Sequence, residues 1–296
     1  MCGIIGFLAK TEQQRQSLGQ VVTPMVVCMG DRGPDSAGLA VFVEGEDLSM
    51  RRYSLFSPDQ EVSWEHLAES FREQGDCQIW YRSRHAVLRT ASEPRVVEEW
   101  LKQHYPELNL LSVGRRIDVY KDAGHPREIV QRCGFEGLRG THCVGHTRMA
   151  TESAVTPAHS HPFTAGEDFC LVHNGSISNS WQVRRKLERK GILFETDNDT
   201  EAVCRYLQWR MQGGDSIEEA LQASFSELDG FYTLLIGTAD KIVLVRDAFA
   251  CKPAVAAETN EYVAVGSEFR ALAHLPGIGQ AHLFEPRPQR IYSWSV

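Results

Sequence analysis

The chain opens on an apolar run: residues 2–8, CGIIGFL, carry no charged or amide side chain. Such a run reads as a strand buried on both faces, with glycines where another backbone comes close. From about residue 13 to 29 the period changes. Leu18, Val22, Met25, Val26 and Met29 fall on one face of a 3.6-residue repeat, which predicts a helix. Residues 30–35, GDRGPD, concentrate turn formers, and residues 37–43 return to a strand pattern.

Between about 55 and 140 the texture differs. Polar helical segments alternate with short strands at 78–81 and 117–119, and an amphipathic helix starting near Pro94 carries Trp100 and Leu101. This predicts an inserted α/β subdomain. Beyond Gly140, strands are expected at 143–146, 169–173, 231–236, 242–246 and 262–265. Helices are expected at 180–190, with Asn179 or Ser180 as N-cap, and at 199–211 and 217–228. Many short strands with helices arriving in pairs predict sheets sandwiched between helical layers. There is no internal repeat and no low-complexity tract.

Composition narrows the function. The 296 residues, 42% hydrophobic and 24% charged, are those of a globular protein with a sizeable core. A net charge of -8 with no dense Lys/Arg patch argues against nucleic acid as the main partner. No apolar stretch has the length of a membrane span, and MCGIIGFLAKTEQQ lacks a basic segment before its apolar run. A cytoplasmic location, away from membranes, is the expectation. The eight cysteines, at 2, 28, 77, 133, 143, 170, 204 and 251, form no C-x-x-C pair. They are expected to be reduced thiols, mostly small buried hydrophobes.

Cys2 is different. Once Met1 is removed, one residue carries both a thiol, of reference pKa about 8.5, and an α-amine of about 7.7–8.0. The amine can act as base and the thiolate as nucleophile. A cysteine that merely follows Met also fits. Arg148, at a predicted strand end, suits bidentate recognition of a carboxylate but also an ordinary surface role. Asn174-Gly175 ends an apolar strand and offers two donors for an oxyanion, or a hairpin turn. Asp197-Asn198-Asp199-Thr200-Glu201 opens a helix, where acids act as caps or hold an ammonium. His146 reads as a hydrogen-bonded core residue. His159 and His161 lack a third ligand, so no metal is expected.

Together these segments resemble the class II glutamine amidotransferases of the N-terminal-nucleophile hydrolase fold. The motifs are MCGIIGF, DRGPDSAG at 31–38, GHTRMAT at 145–151, HPF at 161–163 and VHNGSISN at 172–179. DNDTEAV follows at 197–203, then LDGFYTLL at 228–235, RDAFACKP at 246–253 and SEF at 267–269. The resemblance implies an α+β, four-layer αββα sandwich of antiparallel sheets over residues 1–296, interrupted by the insertion at about 55–140. It implies Cys2 as nucleophile, and Asn174 and Gly175 as oxyanion hole. Arg148 matches the residue on the glutamine α-carboxylate, Asp199 the one on the α-ammonium, and Thr151 a further substrate contact. Arg32 and His161 match structural residues beside the site. Met149 stands where other members carry an aromatic, and Glu152 where some carry His.

GLRGTHCVGHTR and GHTRMATESAVTPAHSHPF look most like free-standing glutaminase subunits of glutamate-synthase-like complexes, of which N-methylglutamate synthase is one. The expected partners are therefore L-glutamine and an ammonia-accepting synthase subunit in a hetero-oligomer. No cofactor is expected in this chain, and flavin or iron–sulfur centres are expected on the partner subunits. Two other readings remain. One is a partner-independent amidohydrolase acting on a γ-glutamyl or acylated metabolite. The other is a non-catalytic scaffold or glutamine sensor.

Overall fold

Along the first strand, Gly3–Ala9, side chains alternate between two apolar environments. Ile5, Phe7 and Ala9 join one buried cluster, and Ile4 and Leu8 another. Alternation with both faces buried requires a layer on each side, and the rest of the architecture follows from it. The computed structural model describes residues 2–44, 47–58, 62–150 and 155–296.

Gly3–Ala9 lies at the middle of a seven-stranded sheet. The order is His282–Phe284, Val255–Glu258, Tyr262–Gly266, Gly3–Ala9, His142–Arg148, Ser36–Phe42 and Ile117–Ala123. A five-stranded sheet runs Tyr292–Ser295, Lys241–Arg246, Gly230–Thr238, Phe169–Ile177, Phe163–Thr164. Neighbouring strands in both sheets are antiparallel. Ile4, Leu8, Phe42, Val144, Cys170, Val172, Leu235 and Leu244 fill the space between the sheets. Outside the first sheet, helix Leu18–Met29 packs Val22, Met25 and Met29 on Phe7 and Leu39, beside helix Pro126–Arg132. Outside the second, helices Ser180–Glu188, Asp199–Gln212 and Ile217–Glu227 pack Leu187, Val203 and Leu221 on Leu171, Leu234 and Val243. This is the expected αββα sandwich.

The helix expected over 13–29 is two helices, Glu12–Gln16 and Leu18–Met29. Ser17 leaves helical geometry, and the Gly19 N–H donates to Leu138 O (2.9 Å) rather than back along a continuous helix. A Cβ on Gly19 would stand 2.0 Å from Phe135 O, so only glycine admits this close approach.

The region expected to be inserted at about 55–140 contains a third sheet. Its order is Cys77–Arg82, His85–Thr90, Arg51–Phe56, Asn109–Gly114. With helices Trp64–Phe71 and Pro94–His104 it surrounds its own core of Tyr53, Leu67, Phe71, Leu88, Val97 and Trp100. Residues 51–114 supply this unit. Ile117–Ala123 is instead the edge of the seven-stranded sheet, paired with Ser36–Phe42. Its reason is visible in its side chains: Ile117 and Val119 enter the space between the sheets, and Tyr120 enters the helix-side cluster. A strand with two such faces is buried only inside a layered sheet.

The strand expected at 169–173 runs on to Ile177, so Asn174 and Gly175 are strand residues paired with Thr233 and Tyr232. Among the described residues no helix is long and apolar enough to cross a membrane.

Leu235 is fully buried between the sheets. Leu235→Ala is expected to lower the unfolding free energy by ~2–5 kcal/mol, the range for a buried leucine truncation. Urea denaturation of both proteins measures it, and a loss under ~1 kcal/mol would mean that the layers close over the gap.

Candidate active site

Cys2 sits immediately before the central strand, at the end of the sheet. Its carbonyl oxygen accepts two hydrogen bonds, from Arg32 Nε (2.9 Å) and Asn174 Nδ2 (3.2 Å). Its thiol is partly exposed, with Sγ 4.0 Å from Met149 O. Arg32 reaches Cys2 because the turn after helix Leu18–Met29 folds back, with Arg32 N donating to Met29 O (3.0 Å). The Arg32 guanidinium also pairs with Glu268, which pairs in turn with Arg270.

Asn174 stands on the second sheet, yet its amide bridges both. Nδ2 also approaches Ser267 Oγ (3.1 Å), and Oδ1 faces His146 Nε2 (3.2 Å). Ser267 Oγ accepts from Ile4 N (2.8 Å), and Ser267 N donates to Ile4 O (3.0 Å). Ser267 and Glu268 belong to a motif quoted for its resemblance, but neither is among the site residues inferred from sequence. What reveals them is register, which only the folded sheet supplies: Ile5 pairs with Gly266, so the residues after Gly266 run toward Cys2. Gly175 is exposed with φ +132°, and a Cβ there would lie 2.0 Å from Phe231 O. Only glycine continues the strand in this form.

Arg148 ends strand His142–Arg148 and is buried. Its carbonyl accepts from Asp35 N (3.0 Å), and Asp35 Oδ2 accepts from Ala150 N (2.8 Å). Met149 is half exposed. Thr151 and Glu152 lie outside the described residues.

The DNDTE segment resolves into separate duties. Asn198 caps helix Asp199–Gln212, its Oδ1 accepting from Thr200 N (2.9 Å). Glu201 takes the Glu195 and Thr196 N–H groups and the Arg205 guanidinium, closing the loop before the helix. Asp199 faces the end of the Asn174 strand: Oδ2 accepts from Ile177 N (3.0 Å), and Oδ1 lies 3.7 Å from His173 Nδ1. Its side chain is 28% exposed, against 72% for Asp197, which points outward beside His159.

Three buried histidines join these parts. His146 and His161 stack with centroids 4.0 Å apart. His161 Nδ1 accepts from His173 N (3.2 Å), its Nε2 lies 3.4 Å from Thr200 Oγ1, and His173 Nδ1 lies 3.1 Å from that same hydroxyl. Burial holds His146 down to about 3, and lowers His161 and His173 against the opposing pull of Asp199 on the latter. All three are neutral near pH 7. Burial also raises the thiols of Cys143, Cys170 and Cys204, so these are protonated and unreactive. Among the described residues no cluster of three or more His, Cys, Asp or Glu is placed to hold a metal ion.

The geometry has counterparts. Residues 146–274 match a family described as "Glutamine amidotransferase domain". Over 99% of its length the chain is 42% identical to the glutamine amidotransferase-like protein GlxB of Rhizobium meliloti (strain 1021), covering 98% of that protein. Among solved structures it resembles the glutamine phosphoribosylpyrophosphate amidotransferase of B. subtilis complexed with ADP and GMP, with TM-score 0.64 and 18% identity. It also resembles a structure described as the allosteric regulatory enzyme of purine biosynthesis, with TM-score 0.66 and 18% identity. In both cases 99% of this chain is aligned, to 47% of the other, so it spans about half their length and the likeness is one of fold.

The buried histidines set an acid limit. Burial pushes His85 and His142 to about 4 and His146 to about 3. An unfolded histidine titrates near ~6.5, so below that pH the unfolded chain binds protons that the folded chain refuses. Their contribution is full above ~6.5 and is lost as pH falls toward the folded values. Between pH 7 and 5, before carboxylates titrate, unfolding free energy should drop by ~1–2 kcal/mol per histidine. Urea midpoints at pH 7, 6 and 5 check this, and a flat profile refutes it.

Proposed function

We propose, from the premise that this chain belongs to the class II glutamine amidotransferases, that it hydrolyses L-glutamine through a Cys2 γ-glutamyl thioester and passes the ammonia to a synthase subunit. The observation that carries the reading is the clamp on Cys2: its carbonyl is held by Arg32 and by the Asn174 amide nitrogen. The residue bearing the thiol and the residue bearing an oxyanion donor are thereby locked together.

Arg148 grips the α-carboxylate of glutamine and Asp199 its α-ammonium, which lays the side-chain amide over Cys2. With Met1 removed, the Cys2 α-amine takes the thiol proton. Sulfur attacks the amide carbon, and the carbonyl electron pair moves onto oxygen. The Gly175 N–H stabilises that oxyanion together with Asn174 Nδ2, which turns one of its two N–H groups to it from Ser267 Oγ. The carbon–nitrogen bond breaks as the nitrogen takes the proton from the Cys2 ammonium, and ammonia leaves. The amine then deprotonates water, which attacks the thioester, and the carbon–sulfur bond breaks to give glutamate and free Cys2. Asp199 suits the ammonium better than Asp197: its carboxylate is half enclosed at the end of the Asn174 strand, whereas Asp197 is largely in solvent.

Ammonia released into neutral water is protonated and stops being a nucleophile, so direct transfer to a partner is favoured. The run GLRGTHCVGHTR supports a glutamate-synthase-like partner, of the N-methylglutamate synthase type. Flavin or iron–sulfur centres, if the reaction needs them, belong on that partner.

Cys2→Ser is expected to abolish hydrolysis while leaving glutamine binding measurable by calorimetry, because recognition lies at Arg148 and Asp199. In that background Asp199→Asn should weaken binding by ~2–5 kcal/mol, the cost of leaving an enclosed charge unpaired, and Asp197→Asn should change it little. The reverse pattern would move the ammonium site two residues. Intact mass of active enzyme should begin at Cys2, and full activity with Met1 retained would refute the terminal-amine base.

A further inference from the structure

We propose that His146 is a positioning residue for the glutaminase reaction: it holds the Asn174 amide with its N–H donors turned toward Cys2. The inference rests on the reading of Asn174 as an oxyanion donor and deepens it.

An asparagine amide has two ends of nearly equal shape, one donating and one accepting. Only its partners decide which end faces the nucleophile. At Asn174 one end meets the Cys2 carbonyl oxygen at 3.2 Å. A backbone carbonyl only accepts, so that end is the NH2 group. The same nitrogen meets Ser267 Oγ at 3.1 Å, an oxygen already taking the Ile4 N–H. The opposite end, Oδ1, is then the acceptor, and it faces His146 Nε2 at 3.2 Å. For that contact to be a hydrogen bond, Nε2 must carry the proton.

The ring is held against the amide, and the His173 backbone carbonyl is a second acceptor acting on the same imidazole. His146 is buried on strand His142–Arg148 of the seven-stranded sheet, and Asn174 lies on the five-stranded sheet, so the bond crosses the gap between the layers. His161 lies flat against His146, 15° from parallel, and prevents the ring from turning. His161 is itself fixed. Its Nδ1 accepts from His173 N, so its own proton is on Nε2, facing Thr200 Oγ1. Thr200 Oγ1 lies within 3.1 Å of His173 Nδ1 and 3.3 Å of Asp199 Oδ1. One chain of contacts therefore runs from the proposed ammonium site to the proposed oxyanion donor, and His146 is its last member. With a proton on Nδ1 alone, the His146 lone pair would face Oδ1. The amide would then be driven to rotate, presenting oxygen to the Cys2 carbonyl and to the developing oxyanion.

The test is a double-mutant cycle on steady-state glutamine hydrolysis. Asn174→Ala should lower kcat ~10²–10³-fold, as loss of an oxyanion donor does. His146→Leu, which leaves Oδ1 without a donor, should lower kcat ~10–10²-fold, a part of that full loss, with KM changed less than about two-fold. His146→Gln, whose amide nitrogen can take the place of Nε2, should recover most of kcat. The double variant His146→Leu/Asn174→Ala should be no slower than Asn174→Ala alone, because the two act as one unit. His146→Met replaces the leucine variant if that protein does not fold, and thermal unfolding confirms that each variant is native. Unchanged kcat in the folded leucine or methionine variant overturns the inference, as does a double variant slowed by the product of the two single effects. An Asn174→Ala enzyme with normal kcat overturns instead the assignment of Asn174.

Discussion

Two hydrogen bonds to one carbonyl oxygen organise this molecule's chemistry. Cys2 stands just ahead of the first strand, where a backbone has neighbours on one side only and order is usually lost. Arg32 Nε and Asn174 Nδ2 converge on its oxygen and remove that freedom. The two donors come from different layers, Arg32 from the turn beyond the outer helix and Asn174 from the second sheet. The clamp therefore forms only when the sheets have docked, and the position of the thiol becomes a property of the whole sandwich.

The central strands make such precision affordable in physical terms because they have two apolar faces. Gly3–Ala9 is hydrogen-bonded along both edges and buried above and below. A shift of register would expose none of the polar edges but would move every side chain to the other layer. Ser267 adds a second constraint from the neighbouring strand, binding Ile4 through both backbone groups and touching the Asn174 amide. Arg32 is fixed in turn by Glu268, one residue further along. The nucleophile's surroundings are thus built from four segments far apart in sequence.

Polar groups buried between the layers would be costly without partners. Here neutral histidines and hydroxyls are joined from Asp199 through Thr200, His173 and His161 to His146 and Asn174, and His173 Nε2 alone among these ring nitrogens is buried without a partner among the described residues. Neutrality is what burial selects, since a charged imidazole would lose its hydration with little in return. Neutrality also leaves each ring with one donor and one acceptor, so the network has a direction. A similar logic explains Ile117–Ala123, whose alternating side chains feed both buried layers and draw it out of the region expected to form a separate unit.

Much of this is written locally. The apolar run of the first strand, the helical stripe from Leu18 to Met29, the helix start at Asn179 and the turn formers after Met29 depend on neighbours within a few positions, and they are legible without coordinates. So are the roles proposed for Cys2, Arg148, Asn174, Gly175 and Asp199, because their motifs resemble a known family. Other features needed the assembled fold. Asn-Gly is a hairpin signal in isolation, and only pairing with Thr233 and Tyr232 makes it continuous strand. His146 reads as a core residue until Asn174, 28 positions away, is found facing it. Ser267 and Glu268 reach Ile4 and Arg32 across 263 and 236 residues. Local propensity is carried by adjacent residues, whereas which side chains meet across two sheets is decided by register and layer docking, and no short stretch of sequence contains either.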